Sequence, residues 1–455
     1  MNTCPYSHDS AVCSLLASEA SGSMVYCQQC SQFAFRCADG HWNRAFARYC
    51  TQCSQQMEKP AQWDMASGNP QRTATLPQKS SHHNEFGAWV ANIPQIETGD
   101  SLPGLLAIDG LIAVPNPGEK KLDTYKIVYD SDRKILSLNW NIPFSEKLTY
   151  GSTPIYHGLH LYTVVSGGIQ KTSVIDGKTD LINNINGVDA DKIKPLPQCA
   201  PMKCKINGRE AMVAGVKQGM LLFDLAKHNG LIISGNFFDE KNESMSPTLC
   251  GQYIVFTSKR GGIFSLNIGT NSFKKRDLSY ENRSFSAPVS VNSTVYFEAI
   301  GNNGHRSLKR FDPNSGKLTK AMDLDHVREH NIENRLSLFA HPPLTDGKQL
   351  FLSDISGQVV YTYDTERGVS LPNKNVPKNG NQHLFAPHQS IVVNNRIYSA
   401  HSYGLTILGF GQNSADLHQP LAMGQPENPK PVARPIRYEN KLFILCKDRL
   451  ICRDY

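Results

Sequence analysis

Seven of the twelve cysteines in this chain stand within its first 53 residues, at Cys4, Cys13, Cys27, Cys30, Cys37, Cys50 and Cys53. Two close pairs, "CQQC" and "CTQC", are C-x2-C knuckles separated by 19 residues, and so tight a turn lets two thiolates reach one tetrahedral metal ion. Two further pairs, "CPYSH" and "CADGH", are C-x3-H, and each precedes one knuckle. The segment therefore reads as two copies of C-x3-H followed by C-x2-C. One copy is built on Cys4, His8, Cys27 and Cys30, the other on Cys37, His41, Cys50 and Cys53. Three thiolates and one imidazole form a closed set with no open coordination position, so the expected chemistry is structural zinc (Zn2+), two ions, and not hydrolysis at a metal-bound water. Cys13 is an alternative to His8 at the first site. One ion shared by Cys27, Cys30, Cys50 and Cys53 is the alternative for the whole segment. Metal is preferred to disulfides because the start, "MNTCPYSHDSAVCSLLASEA", has no basic residue ahead of its apolar patch and does not read as an export signal.

The second copy, "RCADGHWNRAFARYCTQC", resembles one half of a bacterial double zinc ribbon. In that family a knuckle is followed by an asparagine-containing turn and an aromatic-Cys-x2-Cys knuckle, and Asn43 and the "YCTQC" beginning at Tyr49 stand at those positions. The resemblance covers about fifty residues and departs from the family at His41 and in the long insertion between His8 and Cys27. It implies a small module whose fold depends on its metal, since a domain below about 40 residues rarely buries enough apolar surface to fold unaided. Arg36, Arg44 and Arg48 alternate with Phe33, Phe35, Trp42, Phe46 and Tyr49. That interleaving can serve nucleic acid, but a small aromatic core ringed by solvated arginines accounts for it as well and is the reading adopted.

Other reactive residue types are dispersed. No glycine-rich phosphate loop, H-E-x-x-H pair or G-x-S-x-G elbow occurs. His160, His305, His326, His330, His341, His388 and His401 are spread through the chain, with His341 placed near a strand start. They read as turn and strand-edge residues. Cys199, Cys204, Cys250, Cys446 and Cys452 read as packed, inert thiols.

The element that must carry these residues is a repeat. Prolines recur at Pro103, Pro154, Pro201, Pro247, Pro288, Pro343, Pro387 and Pro435, each heading a short hydrophobic alternation such as "TPIYHGLHLYTV" or "APVSVNSTVYFEA". Their spacing of 41 to 55 residues matches the roughly 40–50 residues of a four-stranded blade. The fold class is thus all-β, an eight-bladed β-propeller, or seven-bladed if the first repeat is a cap, with a small N-terminal zinc-ribbon module. The expected organisation is a ribbon at 1–54, a flexible Ser, Gln and Pro-rich linker at 55–85 that holds His82 and His83, and the propeller at 86–455. The last repeat has residues for three strands only, so "EFGAWVANIP" at 86–95 is expected to close the ring on 435–455. The acidic stretch "MDLDHVREHNIENR" is expected to form a surface helix.

"RFDPNSGKLTKAM" and "YDTERG" resemble the aspartate-to-glycine turn of propellers built from pyrroloquinoline-quinone-type repeats, with Asp312 and Gly316, and Asp364 and Gly368, in the matching places. The closing tryptophan of those repeats is absent. Quinone-dependent members of that fold carry many docking tryptophans, whereas this chain has four, two of them ahead of the ring, so the resemblance implies geometry and not quinone catalysis.

A net charge of +7 is uneven: residues 1–100 hold 6 Lys and Arg against 8 Asp and Glu, so the repeats carry the whole basic excess. A mildly basic, solvated surface is the expected consequence. No run approaches the roughly 18 apolar residues of a membrane span, and a cytoplasmic location is expected. The functional expectation is a non-enzymatic scaffold with protein partners for both ribbon and propeller face. A hydrolase or lyase site in the channel is the alternative, and nucleic-acid binding a weaker one.

Overall fold

The computed structural model describes the strands Met24–Cys27, Gln32–Arg36 and Trp42–Arg44, and then residues 89–454 with gaps, the longer being 97–103, 235–244, 327–340, 384–389 and 420–430. For the first three strands, and for parts of several others, the backbone alone is described.

Proline marks the start of each blade for a physical reason. Pro154, Pro201, Pro247, Pro288, Pro343 and Pro435 each stand one residue before a first strand: Ile155–His157, Met202–Ile206, Thr248–Cys250, Val289–Val291, Leu344–Thr345 and Ile436–Tyr438. All six are buried. A proline here leaves no N–H unpaired, and its fixed φ aims the chain into the sheet. Pro103 and Pro387 lie outside the described residues.

Eight antiparallel sheets of four or five strands follow in chain order among the described residues, giving an all-β, eight-bladed propeller. Blades 1 to 7 span 106–143, 155–182, 202–234, 248–277, 282–326, 344–375 and 390–419, and blade 8 spans 436–454. The first repeat forms a full four-stranded sheet and is not a cap, which removes the seven-bladed alternative. In blade 5 the innermost strand is broken in two, Asn282–Phe285 and Val289–Val291, both pairing with Thr294–Gly301. The expected surface helix is also corrected: "MDLDH" belongs to the strand Leu318–His326, and the rest of that stretch lies outside the described residues.

First strands of neighbouring blades touch one another, which places them innermost. Thr248–Cys250 meets Val289–Val291, Leu344–Thr345 meets Ser390–Val393, and Ile436–Tyr438 meets Leu106–Ile108. The last contact joins blade 8 to blade 1. Blade 8 takes its fourth strand from the other end of the chain: Arg449, Leu450, Ile451 and Cys452 pair with Asn92, Ala91, Val90 and Trp89.

The core lies between blades. Ile155 and Tyr162 of blade 2, Met202 and Phe223 of blade 3, and Phe256 and Phe264 of blade 4 form one buried cluster. A second cluster runs through blades 7, 8 and 1 by way of Tyr398, Phe443 and Ile112. Burying one such side chain stabilises by roughly 1.5–3 kcal/mol, so the blade faces supply most of the stability.

Two turn types set the register. In blades 2, 3 and 5 the first hairpin is a two-residue turn with both central residues left-handed: Gly158 and Leu159 (φ 56 and 67), Asn207 and Gly208 (φ 50 and 78), Asn292 and Ser293 (φ 49 and 58). Such turns match the strand twist. Third and fourth strands of blades 2 to 6 are joined by a capped turn. Asp312 accepts from the amide of Asn314 (2.9 Å) and the hydroxyl of Ser315 (2.6 Å), while Gly316 N–H closes on Asp312 O (2.8 Å). Asp364, Asp224, Asn267 and Ser173 cap the corresponding turns. Their fifth residue is left-handed wherever it is described: Gly177, His228, Gly316 and Gly368, at φ 71, 55, 73 and 69.

Two outcomes are expected. Removing residues 1–84 leaves a folded ring, whereas removing 1–92 bares the edge of Arg449–Asp454 and produces aggregation, as checked by size-exclusion chromatography. The hydrogen bonds to Asp312 hold its carboxyl below the usual range. Its contribution is therefore complete above about pH 4 and fades as the pH falls further. Asp312→Ala costs about 1 kcal/mol, visible in thermal unfolding near neutral pH and diminishing in acid.

Candidate functional site

Of the expected metal ligands, Cys4, His8, Cys13, Cys30, Cys37, His41, Cys50 and Cys53 lie outside the described residues, and Cys27 is described as the last backbone position of its strand. The backbone around them is informative. Met24–Cys27, Gln32–Arg36 and Trp42–Arg44 make a three-stranded antiparallel sheet in which Cys27 is opposite Gln32 and Arg36 opposite Trp42. Cys27 stands beside the Gln32 end of the middle strand, and the five residues of that strand set its two ends about 16 Å apart at roughly 3.3 Å per residue, many times a zinc–ligand bond of about 2.0–2.3 Å.

In the ring, the residues just before the first strands converge on one end of the channel. Thr149 leads into a short 3-10 turn, Tyr150–Ser152, that packs on the segment leading into blade 3: Gly151 N–H bonds Pro197 O (3.1 Å), and a Cβ at Gly151 would sit 2.0 Å from Leu196 O. Only glycine allows that approach. The turn aims Tyr150, 5% exposed, at His341, with ring centroids 5.1 Å apart in an edge-on arrangement. Tyr150 precedes blade 2 and His341 precedes blade 6. These blades are four apart in a ring of eight, so the contact crosses the channel.

Side-chain hydroxyls at this end tie blade to blade, two of them one residue before a blade-starting proline. Thr153 Oγ1 accepts from Gly104 N–H (2.9 Å) and donates to Tyr150 O (2.7 Å). Ser246 Oγ accepts from Ala200 N–H (2.9 Å), and Thr257 Oγ1 donates to Ser286 O (2.6 Å). The opposite end has its own ties: Tyr253 OH to Asn314 Oδ1 (3.0 Å), Asn292 Nδ2 to Thr365 Oγ1 (3.2 Å) and Tyr162 OH to His228 Nε2 (3.4 Å). Between blades 5 and 6 lies a buried ionic tie. Arg306 pairs with Glu298 and Asp325 and donates to Ser353 O (3.0 Å). Burial alone would lower the Arg306 pKa, and the two carboxylates outweigh it, so the guanidinium stays charged.

The histidines do not gather. His341 reaches the channel, His401 bonds Thr406 Oγ1 (2.9 Å) inside blade 7, and His305 and His326 pair edge-on at the rim of blade 5. His160 stands at a hairpin of blade 2, and His330 and His388 lie outside the described residues. The five ring cysteines are buried. Burial pushes the Cys204 and Cys446 thiols up to about 12, so they stay protonated and unreactive at neutral pH. Tyr150, His157 and His228 were not singled out from the sequence. A histidine where glycine stands in "DPNSG" and "DTERG" was the signal for His228; nothing local marked Tyr150.

No protein-family model matches the chain, and no curated protein matches it. Among solved structures it is similar to the computationally designed Ika8 protein, at 12% identity over 79% of this chain and 98% of that one, with a TM-score of 0.51. It is also similar to a europium-containing methanol dehydrogenase, at 10% identity over 85% of this chain and 89% of that one, again with a TM-score of 0.51. These likenesses are of fold. No helix among the described residues is long and apolar enough to cross a membrane.

Thr153→Val removes a donor and an acceptor from a buried tie. It should cost about 1–3 kcal/mol in urea unfolding, and Ser246→Ala, which frees Ala200 N–H and the weaker contact to Gln198 O, about 1–2 kcal/mol.

Proposed function

We propose that the chain is a non-enzymatic adaptor in which a zinc-stabilised N-terminal ribbon engages one protein partner and the propeller face engages another. The observation that carries this reading is the way the chain joins the ring. Trp89–Asn92 is the outermost strand of blade 8, and Trp89, opposite Cys452, stands at the end of the blade away from the first-strand starts. The chain therefore enters the ring at its rim, at the end away from the first-strand starts. The hydroxyls at the opposite end are engaged in blade-to-blade ties, which favours a rigid binding face over a catalytic pocket.

The ribbon is assigned two structural zinc ions, on Cys4, His8, Cys27 and Cys30 and on Cys37, His41, Cys50 and Cys53. The distance between the two ends of the middle strand supports separate sites for the first knuckle and for Cys37 with His41. Fully ligated zinc supplies fold stability and no open position for substrate. Elemental analysis of the full chain should find about two zinc ions per molecule, and about one in a Cys50→Ser, Cys53→Ser variant. A metal-free chain would sink the assignment. In parallel affinity purifications, the variant should lose one partner and keep the others; identical partner sets would contradict the adaptor.

A further inference from the structure

The tie between blades 2 and 3 differs in kind from its counterparts. Between blades 4 and 5 it is Tyr253 with Asn314, and between blades 5 and 6 Asn292 with Thr365, all groups that do not titrate near neutrality. Between blades 2 and 3 it is Tyr162 OH with the imidazole of His228 (3.4 Å). His228 holds the left-handed position (φ 55) that Gly177, Gly316 and Gly368 hold in the equivalent turns. A β-carbon there is strained, and only the surrounding contacts keep it in place. Those contacts are aromatic: His228 stacks on Phe223 at an interplanar angle of 4°, with centroids 6.2 Å apart, and lies 6.1 Å from the Tyr162 ring.

Two more imidazoles share the seam. His157 and His160 are cross-strand partners flanking the Gly158–Leu159 hairpin, and their rings lie 6.4 and 6.3 Å from Tyr162. His160 Nδ1 faces Gly158 O at 2.8 Å and so carries the proton.

We propose that the seam between blades 2 and 3 is an acid-sensitive joint, in which protonation of His228 releases the outer turn of blade 3 from blade 2. Neutral Nε2 accepts the Tyr162 hydroxyl; once protonated it can only donate, so the hydroxyl is left to the longer contact with Leu225 O (3.5 Å) and the charge sits half-buried among aromatic rings. Burial pushes the Tyr162 hydroxyl up to about 12, so it remains a donor throughout. The new charge finds little compensation. Lys171 on the third strand of blade 2 and His160 on the second oppose it, and Lys203, bonded to Tyr156 O (3.0 Å), opposes charge on His157. Asp224 is the nearest carboxylate, but one oxygen already caps Ala226 and Lys227 (2.9 and 2.8 Å) and the other faces Arg209 at 3.8 Å. Glu210, on the second strand of blade 3, acts on His157.

Burial first, then these cations, hold His157 and His228 below the ordinary imidazole range. The folded ring therefore binds fewer protons than the unfolded chain. The seam is intact above about pH 7 and weakens as the pH falls below about 6.5.

Hydrogen exchange of the full chain tests this. On going from about pH 7.5 to about pH 5.5, amides of 160–173 and 219–234, corrected for chemical exchange, should speed up roughly tenfold, while those of 253–257 and 305–318 at the blade 4 and 5 seam hold. His228→Gly should keep the ring folded and cut the acceleration to the smaller part that His157 contributes. Tyr162→Phe, which keeps the packing and removes the hydroxyl, should exchange fast at both pH values. Equal acceleration at both seams, or undiminished acceleration in either variant, would overturn the proposal.

Discussion

Each blade buries its faces only against its neighbours, so an unclosed array of eight would leave two apolar faces and one open sheet edge in water. Pairing of Trp89–Asn92 with Arg449–Asp454 removes that edge, and the contact of Ile436–Tyr438 with Leu106–Ile108 brings the terminal faces together. Leu442, Phe443, Ile444 and Leu445 are then buried between blades 7 and 1. Every other seam depends on this one, because a ring transmits the loss of one interface to the rest.

Energy and register are divided between different groups. Apolar side chains between blades supply stability: Tyr162 and Phe223 at one seam, Tyr296 and Tyr363 at another, with centroids 6.3 and 5.9 Å apart. Apolar contact is weakly directional, and flat sheets could slide. Single hydrogen bonds along the seams from blade 1 to blade 6, each worth about 1 kcal/mol net, give these blades a defined height against one another. Arg306 plays the same part where the fifth blade's innermost strand is broken, and there the tie is ionic and buried.

This division bears on function. Thr153, Ser246 and Thr257 stand at the channel end, where a propeller enzyme could place its reactive groups, and their hydroxyls are bonded to neighbouring blades. Tyr150 and His341 meet across the same opening. What remains is a rigid, decorated face, joined at its rim to a cysteine-rich segment. Among the described ties at the end of the ring away from the first-strand starts, the one through His228 puts a titratable group where its counterparts have neutral ones, which is the basis of the proposed acid-sensitive joint.

The blades were legible in the sequence because proline at a strand start and alternation within strands are local signals, repeated eight times. The turns at Asp312 and Asp364 could be recognised for the same reason: aspartate and glycine stand four apart in the chain. Their counterparts at Ser173, Asn267 and Asp224 were invisible, since a hydroxyl or an amide can cap the same turn and His228 replaces glycine. The proposed ligand set likewise rests on a local pattern, the spacing of cysteines and histidines. Contacts formed by closing the ring could not be read in advance. Tyr150 meets His341, and Tyr162 meets His228, because packing and closure bring distant repeats into register, and no spacing along the chain encodes which side chains then face each other.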